Sequence, residues 1–282
     1  METITQPAEM SAWSEQTRRT GQSIALVPTM GFFHEGHLSL MRFAAARADR
    51  LVVSLFVNPI QFAPGEDLER YPRARERDAA LAAANGADIL FCPEPAAMYP
   101  RDFRTTVTVA GISEGLCGRS RPGHFAGVAT VLAKLFNLVQ PDRAIFGEKD
   151  FQQLAVIRTL VRDLNWNIEI LGHPIVREPD GLAMSSRNVY LNKDERQAAL
   201  ALPLSLEHAR HRVGQGERRP EVLRGEINAI LAAAGLRPEY IEFVDELSLQ
   251  PVALVGEGTV LALAARSGAT RLIDNCRFKQ LD

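Results

Sequence analysis

Lysine is scarce in this chain. Of 32 Lys and Arg residues only four are lysine, namely Lys134, Lys149, Lys193 and Lys279. Positive charge is therefore carried by arginine as a rule, and a lysine inside a motif is not surface filler. Cysteine is also rare: Cys92, Cys117 and Cys276 are odd in number and far apart, which excludes a disulfide framework and a cysteine-based zinc site. Reduced thiols and a cytoplasmic location are the corresponding expectation. Aromatic residues make up only 7% of the chain, no Arg/Lys block stands out, and the net charge is −2. That balance lacks the electrostatic footprint of a nucleic-acid partner. No apolar run approaches the ~20 residues of a membrane span. The opening residues Met1 to Glu9 lack the basic, apolar, small-residue order of a secretory signal. No internal repeat or low-complexity tract appears. What is present is 282 residues, 46% of them apolar, which suits one large or two modest domains with a real core.

The central stretch is Pro28 to His37, P-T-M-G-F-F-H-E-G-H. The short apolar run Ile24-Ala25-Leu26-Val27 precedes it. Leu38 to Arg47 follows, spaced as a helix. A strand handing over to a helix is the ligand-binding edge of an open parallel sheet. A helix start offers unpaired N–H groups and a positive dipole end to a phosphate. Gly31 and Gly36 let backbone approach a ligand, and His34 and His37 share a face of a first helical turn.

Downstream, Leu51 to Val57 predicts a strand buried on both faces, ended by Asn58-Pro59. Arg73 to Asn85 predicts a helix capped by Gly86, and Ala87 to Cys92 a third strand. The βαβαβ order predicts an α/β, doubly wound parallel sheet, Rossmann-like. Thr105 to Ala110 alternates as a strand would. Cys117 to Phe125 reads as a Gly/Arg loop leading into a helix over 126–139. Pro141 to Phe146 and Ile168 to Val176 predict the remaining strands, with a helix beginning near Asp150. From Leu191 the pattern changes to helices over 193–213 and 220–234 and strands over 240–244, 259–265 and 270–275. This predicts two domains: 1–176, Rossmann-like, and a smaller α+β domain over 177–282.

Several readings of the histidines stay open on this ground alone. They suit a helix cap and a packed ring, a metal hydrolase with His124 as third ligand, or a nucleotide-binding regulatory protein without turnover. The helical zinc pattern H-E-x-x-H is not met, because this is H-E-G-H.

H-x-G-H after a first strand resembles the nucleotidyltransferase superfamily that includes class I aminoacyl-tRNA synthetases. M-G-x-x-H-x-G-H in particular resembles the pantothenate synthetase (pantoate–β-alanine ligase) family. The resemblance continues through F-V-N-P-I-Q-F from Phe56, S-R-P-G-H-F from Ser120, G-E-K-D-F-Q-Q from Gly147 and M-S-S-R from Met184, in family order. M-S-S-R looks like a shortened K-M-S-K-S loop. Phe33 stands where a leucine is common, while Phe32 and Ile60 fill variable positions; none of these removes a polar group.

The resemblance implies an ATP-dependent, AMP-forming ligase acting on pantoate and β-alanine through a pantoyl adenylate. It implies catalytic roles for His34, His37, Lys149 and Arg187. ATP is expected at Met30, Gly31, Phe32, Phe33, His34, Glu35, Gly36, His37, Gly147, Glu148, Lys149, Asp150, Val176, Met184, Ser185, Ser186 and Arg187. Pantoate or β-alanine is expected at Gln61 and Gln153. Mg²⁺ is expected on the ATP phosphates and not in a protein-built metal site, with Asp150 a candidate for holding one of its waters. A lid role for 177–282 and a homodimer are implied as well. Another adenylyl- or cytidylyltransferase of the superfamily is the rival, which the pair Gln61 and Gln153 disfavours.

Overall fold

A computed structural model of the chain describes residues 1–279. The elements in order are β1 (Glu2–Ile4), α1 (Pro7–Arg19), β2 (Ile24–Thr29), α2 (Glu35–Ala45), β3 (Arg50–Leu55), α3 (Arg75–Ala84), β4 (Ile89–Phe91), α4 (Pro95–Met98), α5 (Leu116–Ser120), α6 (His124–Val139), β5 (Arg143–Gly147), α7 (Phe151–Asp163), β6 (Glu169–His173), α8 (Lys193–Ala199), α9 (Ala201–Gly214), α10 (Pro220–Ala233), β7 (Arg237–Asp245), β8 (Thr259–Ser267) and β9 (Thr270–Phe278). The chain divides into two compact units. The first comprises Met1–Ser113, Arg121–Glu148 and Gln153–Pro174; the second comprises Glu114–Ser120, Lys149–Gln152 and Ile175–Asp282. Positions 280–282 of the expected second domain lie outside the described residues.

The first unit is built on a six-stranded sheet in the order β1-β4-β3-β2-β5-β6, parallel throughout. Strand order runs outward from β2 in one direction through β3 and β4 and in the other through β5 and β6. The topological switch therefore lies between β2 and β5, where open α/β sheets bind ligands beyond the strands' carboxyl ends. The central strands are apolar because both their faces are covered. Ile24, Ala25, Leu26 and Val27 are fully buried, as are Val52 and Val53. One face packs Ile24, Leu26 and Val52 with Val128, Leu132 and Phe136 of α6; the other packs Ala25, Val27 and Val53 with Met41 and Ala44 of α2.

Two expectations are corrected here. The alternating stretch Thr105 to Ala110 forms no strand. Its Val107 N–H donates to Thr130 Oγ1 on α6 at 3.0 Å, and the sheet edge beside β4 is taken by β1. A side chain thus supplies the bond that a neighbouring strand would have offered. Part of the expected Gly/Arg loop is helical, since Leu116–Ser120 forms α5. The sequence pattern gives no sign of β1, because a three-residue strand is too short to register a period, and α1 over Pro7–Arg19 is an addition to the expected elements.

The second unit contains the three-stranded antiparallel sheet β7-β8-β9 covered by α9 and α10. Leu261, Leu263 and Ala265 of β8 face Leu206, Leu223, Ile227 and Leu231 in one apolar cluster. No helix among the described residues is long and apolar enough to cross a membrane.

Candidate active site

The expected residues fall into one set on each unit. In the first unit the loop after β2 turns sharply into α2. Gly31 has φ +88° and Phe32 φ +53°, both in the left-handed region. A Cβ at Gly31 would lie 3.1 Å from Asp78 Oδ2 and 3.3 Å from Leu55, so this position is strained for any other residue. Asp78 of α3 is buried and fixes the turn. Its Oδ2 accepts from Phe32 N–H at 2.6 Å and its Oδ1 from Phe33 N–H at 2.8 Å. Arg77, next on α3, donates to the Phe33 carbonyl at 3.1 Å and lies over the Phe32 ring. Phe33 is buried against α2 and Phe32 is half-buried.

His34 is the N-cap of α2 and His37 its third helical residue. His34 Nδ1 accepts from Gly36 N–H at 3.2 Å, and His37 Nδ1 accepts from His34 N–H at 3.3 Å. This is a capping box built from two imidazoles. A ring nitrogen that accepts carries no proton, so both neutral rings keep theirs on Nε2. The ring centroids are 4.1 Å apart, which brings two Nε2 donors together at a helix start. Glu35 is exposed and pairs with Arg42.

After β3, Pro59–Gln61 forms one tight helical turn and buries Gln61. Gln61 Oε1 accepts from Asn58 Nδ2 at 2.9 Å, and its Nε2 reaches Met30 Sδ at 3.0 Å. Its backbone is held from the other side: His124 Nδ1 donates to the Gln61 carbonyl at 2.9 Å, while His124 Nε2 meets Arg121 Nη1 at 2.9 Å. Arg121 also grips Glu66 with a two-pronged pair at 2.6 and 2.7 Å. Burial pushes the Glu66 carboxyl up, but the Arg121 fork, the Ala63 N–H and the nearby His124 together outweigh it and the carboxyl sits below its ordinary range. His124 thus commits both ring nitrogens to protein groups, and the hydrolase reading loses its third ligand. Among the described residues no group of three His, Cys, Asp or Glu side chains is placed to hold a metal ion. The remaining members of this set sit in this unit. Gly147 ends β5, Glu148 follows it, and Gln153 is half-buried on α7.

In the second unit Lys149 is half-buried and Asp150 exposed. The Lys149 carbonyl accepts from Asn275 Nδ2 of β9 at 2.9 Å. Burial lowers the Lys149 pKa below its ordinary value, with Arg187 and Arg271 adding to the effect and Asp150 and Asp274 opposing it. Gln152 has both ends of its amide committed: Oε1 accepts from Cys117 N–H at 2.9 Å and Nε2 donates to the Gly115 carbonyl at 2.8 Å. Of the two adjacent glutamines, Gln152 is therefore a structural clamp.

Val176 and Met184 are joined through backbone, with Met184 N–H donating to the Val176 carbonyl at 3.0 Å. Ser185 caps the turn Ser186–Tyr190 by accepting from Arg187 N–H at 3.3 Å. The neighbouring segment is tied more firmly than its Pro179 and Gly181 suggest. Arg177 meets the buried Asp274 at 2.7 and 2.9 Å, and Glu178 binds both Asn188 and Arg196.

Sequence reasoning missed Asp78 and Asn58 as supports of the first unit's set and Asn275 as a support of the second's. Asp78 gives no signal, since one carboxylate in an Arg/Glu/Ala helix reads as a solvated charge. Asn58 did carry one, as the polar residue of F-V-N-P-I-Q-F at the very end of a buried strand.

Comparison with known proteins gives the family. The family model described as pantoate-beta-alanine ligase matches residues 2–277. Pantothenate synthetase of Geobacter sulfurreducens is 55% identical over 277 residues, covering 98% of this chain and 98% of that relative. The pantothenate synthetase of Anaeromyxobacter dehalogenans is 56% identical over 284 residues, with 98% of each chain covered. Among solved structures, pantothenate synthetase from Thermus thermophilus superposes with a TM-score of 0.93 at 44% identity, over 98% of this chain and 99% of that one. Pantoate-beta-alanine ligase from Francisella tularensis, solved with beta-gamma ATP and beta-alanine, gives 0.81 at 32% identity, over 98% and 97%. By sequence along nearly its whole length, and by fold, the chain belongs to the pantoate–β-alanine ligase family.

Proposed function

We propose that this protein condenses pantoate with β-alanine at the expense of ATP, giving pantothenate, AMP and pyrophosphate. The observation that carries this reading is the paired-imidazole helix start after β2, set beside a buried glutamine amide at the end of β3. Together they offer donors for a nucleotide phosphate and an amide for a hydroxy acid on one sheet edge.

A carboxylate does not react with an amine, so it is first activated. A pantoate carboxylate oxygen attacks the α-phosphorus of ATP and pyrophosphate leaves. The β-alanine amine then attacks the acyl carbon of pantoyl adenylate, and AMP departs with the carboxylate oxygen. The first step joins two anions, so donors must lie where charge builds. His34 and His37 take that role at the α-phosphate through Nε2–H. Lys149 and Arg187 take it at the β- and γ-phosphates, with Ser185 and Ser186 adding donors. Gln61 and Gln153 hold pantoate, and much of the rate follows from that placement. A Mg²⁺ ion bound with ATP would supply further positive charge against the negative charge of the phosphates. The exposed Asp150 would hold one of that ion's waters. We assign residues 1–176 to nucleotide and pantoate binding and 177–282 to a lid, in a cytoplasmic homodimer.

The test is AMP release by purified protein with ATP, pantoate and β-alanine, omitting each in turn. Release that needs all three supports the reading; release without pantoate, or none with all three, removes it.

A further inference from the structure

The buried backbone around Gln61 fixes which end of its amide faces outward. The Gly127 carbonyl of α6 is an acceptor and nothing else, and Asn58 Nδ2 lies 3.1 Å from it. That contact settles the Asn58 amide: its nitrogen faces Gly127, so its oxygen faces Tyr99. The Tyr99 hydroxyl is 2.8 Å from Asn58 Oδ1 and must be the donor. Burial pushes the Tyr99 phenol well above its ordinary pKa, so the proton stays in place. The second Asn58 N–H points to Gln61 at 2.9 Å, and only the Gln61 oxygen can accept it. Gln61 Nε2 is then left for the site, where its partner is Met30 Sδ at 3.0 Å, a weak acceptor that a ligand oxygen would readily replace.

The same carbonyl is held close by packing. A Cβ on Gly127 would come within 2.5 Å of the Ile60 carbonyl and 2.6 Å of Gln61 Cα, so α6 seats directly on the turn that carries Gln61. Tyr99 is braced by the Phe56 and Phe103 rings at 6.1 and 5.1 Å.

We infer that Tyr99 and the Gly127 carbonyl act through Asn58 as a polarity relay, so that Gln61 presents its NH₂ and never its carbonyl to the substrate. Tyr99 is a positioning residue for pantoate, and Gln61 meets an acceptor oxygen of that substrate. This rests on the reading that Gln61 holds pantoate.

The experiment measures KM for pantoate, KM for ATP and kcat by AMP release, with thermal melts, for Gln61→Ala, Gln61→Glu and Tyr99→Phe. Loss of the Tyr99 donor releases one end of the relay and raises KM for pantoate roughly 3- to 10-fold, with KM for ATP unchanged. Gln61→Glu keeps the acceptor toward Asn58 and turns a second acceptor outward, so its KM for pantoate exceeds that of Gln61→Ala by about tenfold or more. A Gln61→Glu protein that binds pantoate as well as Gln61→Ala or better overturns the polarity. A Tyr99→Phe protein with both KM values unchanged, or both raised alike, overturns the role of Tyr99. If Gln61→Ala itself leaves KM for pantoate unchanged, the pantoate assignment of Gln61 fails, and that result is distinct from the other two.

Discussion

At the scale of single residues, the site is defined by which hydrogen-bonding ends the fold has already used. His34 and His37 use Nδ1 for backbone N–H groups and carry their protons on Nε2, which suits charge that develops on phosphate. His37→Ala is expected to lower turnover about 10²-fold or more while the melting curve persists. Near-normal turnover of the folded variant removes His37 from the chemistry. Arg187→Lys keeps a charge but loses the planar fork, so pyrophosphate is gripped less well and adenylate formation slows. Chemically supplied pantoyl adenylate should be consumed by that variant at close to the normal rate. Equal slowness from the adenylate contradicts the assignment.

Lys149 gives a pH-dependent signature. Its pKa is lowered by burial, and a polyphosphate bound beside it, as proposed, would favour the charged form. Between that lowered value and the ordinary 10.5, nucleotide binding should take up a proton. Calorimetry in buffers of different ionisation enthalpy reads this as a buffer-dependent binding enthalpy on the alkaline side. An enthalpy independent of buffer there contradicts it.

At the scale of elements, two connections of the first unit hold candidate residues, the turn from β2 into α2 and the turn after β3, and the segment around Lys149 holds others in the second unit. The first two are legible in the sequence. A fully apolar Ile24 to Val27, then Gly31, Gly36 and the helically spaced Leu38 to Arg47, reads as a buried strand opening into a helix start. The same logic found β3 and Gln61. What stayed hidden is the bracing from elsewhere in the chain. Asp78 holds Phe32 and Phe33 from 46 and 45 residues away, through backbone N–H groups that no side-chain pattern reveals. The alternation of Thr105 to Ala110 misled for a similar reason, since the Val107 N–H goes to a threonine hydroxyl on α6 and not to a strand. Removing the brace takes the carboxylate acceptor away from two N–H groups of a strained turn. Asp78→Ala should therefore lower stability by about 1–3 kcal/mol and raise KM for ATP more than KM for β-alanine. A shift in melting temperature with all KM values unchanged would reduce Asp78 to a stability role alone.

At the scale of the whole molecule, two kinds of layer arrangement share the chain. A doubly wound parallel sheet supplies a switch point in the first unit, and the second unit, built on a three-stranded antiparallel sheet with its own helices, includes the turns that hold Lys149, Met184, Ser185, Ser186 and Arg187. The assignment of Lys149–Gln152 to the second unit was not legible, because its ties, the Asn275 amide on the Lys149 carbonyl and the Gln152 amide on Cys117 N–H and the Gly115 carbonyl, join residues too far apart in sequence for a local pattern to reveal. The central claim is that a pantoate oxygen, and no protein group, attacks the α-phosphorus. Pantoate labelled with ¹⁸O in its carboxylate tests this most directly, by mass spectrometry of the products after turnover with ATP and β-alanine. The account predicts one labelled oxygen in AMP and none in pyrophosphate. Label absent from AMP, or found in orthophosphate, would contradict it.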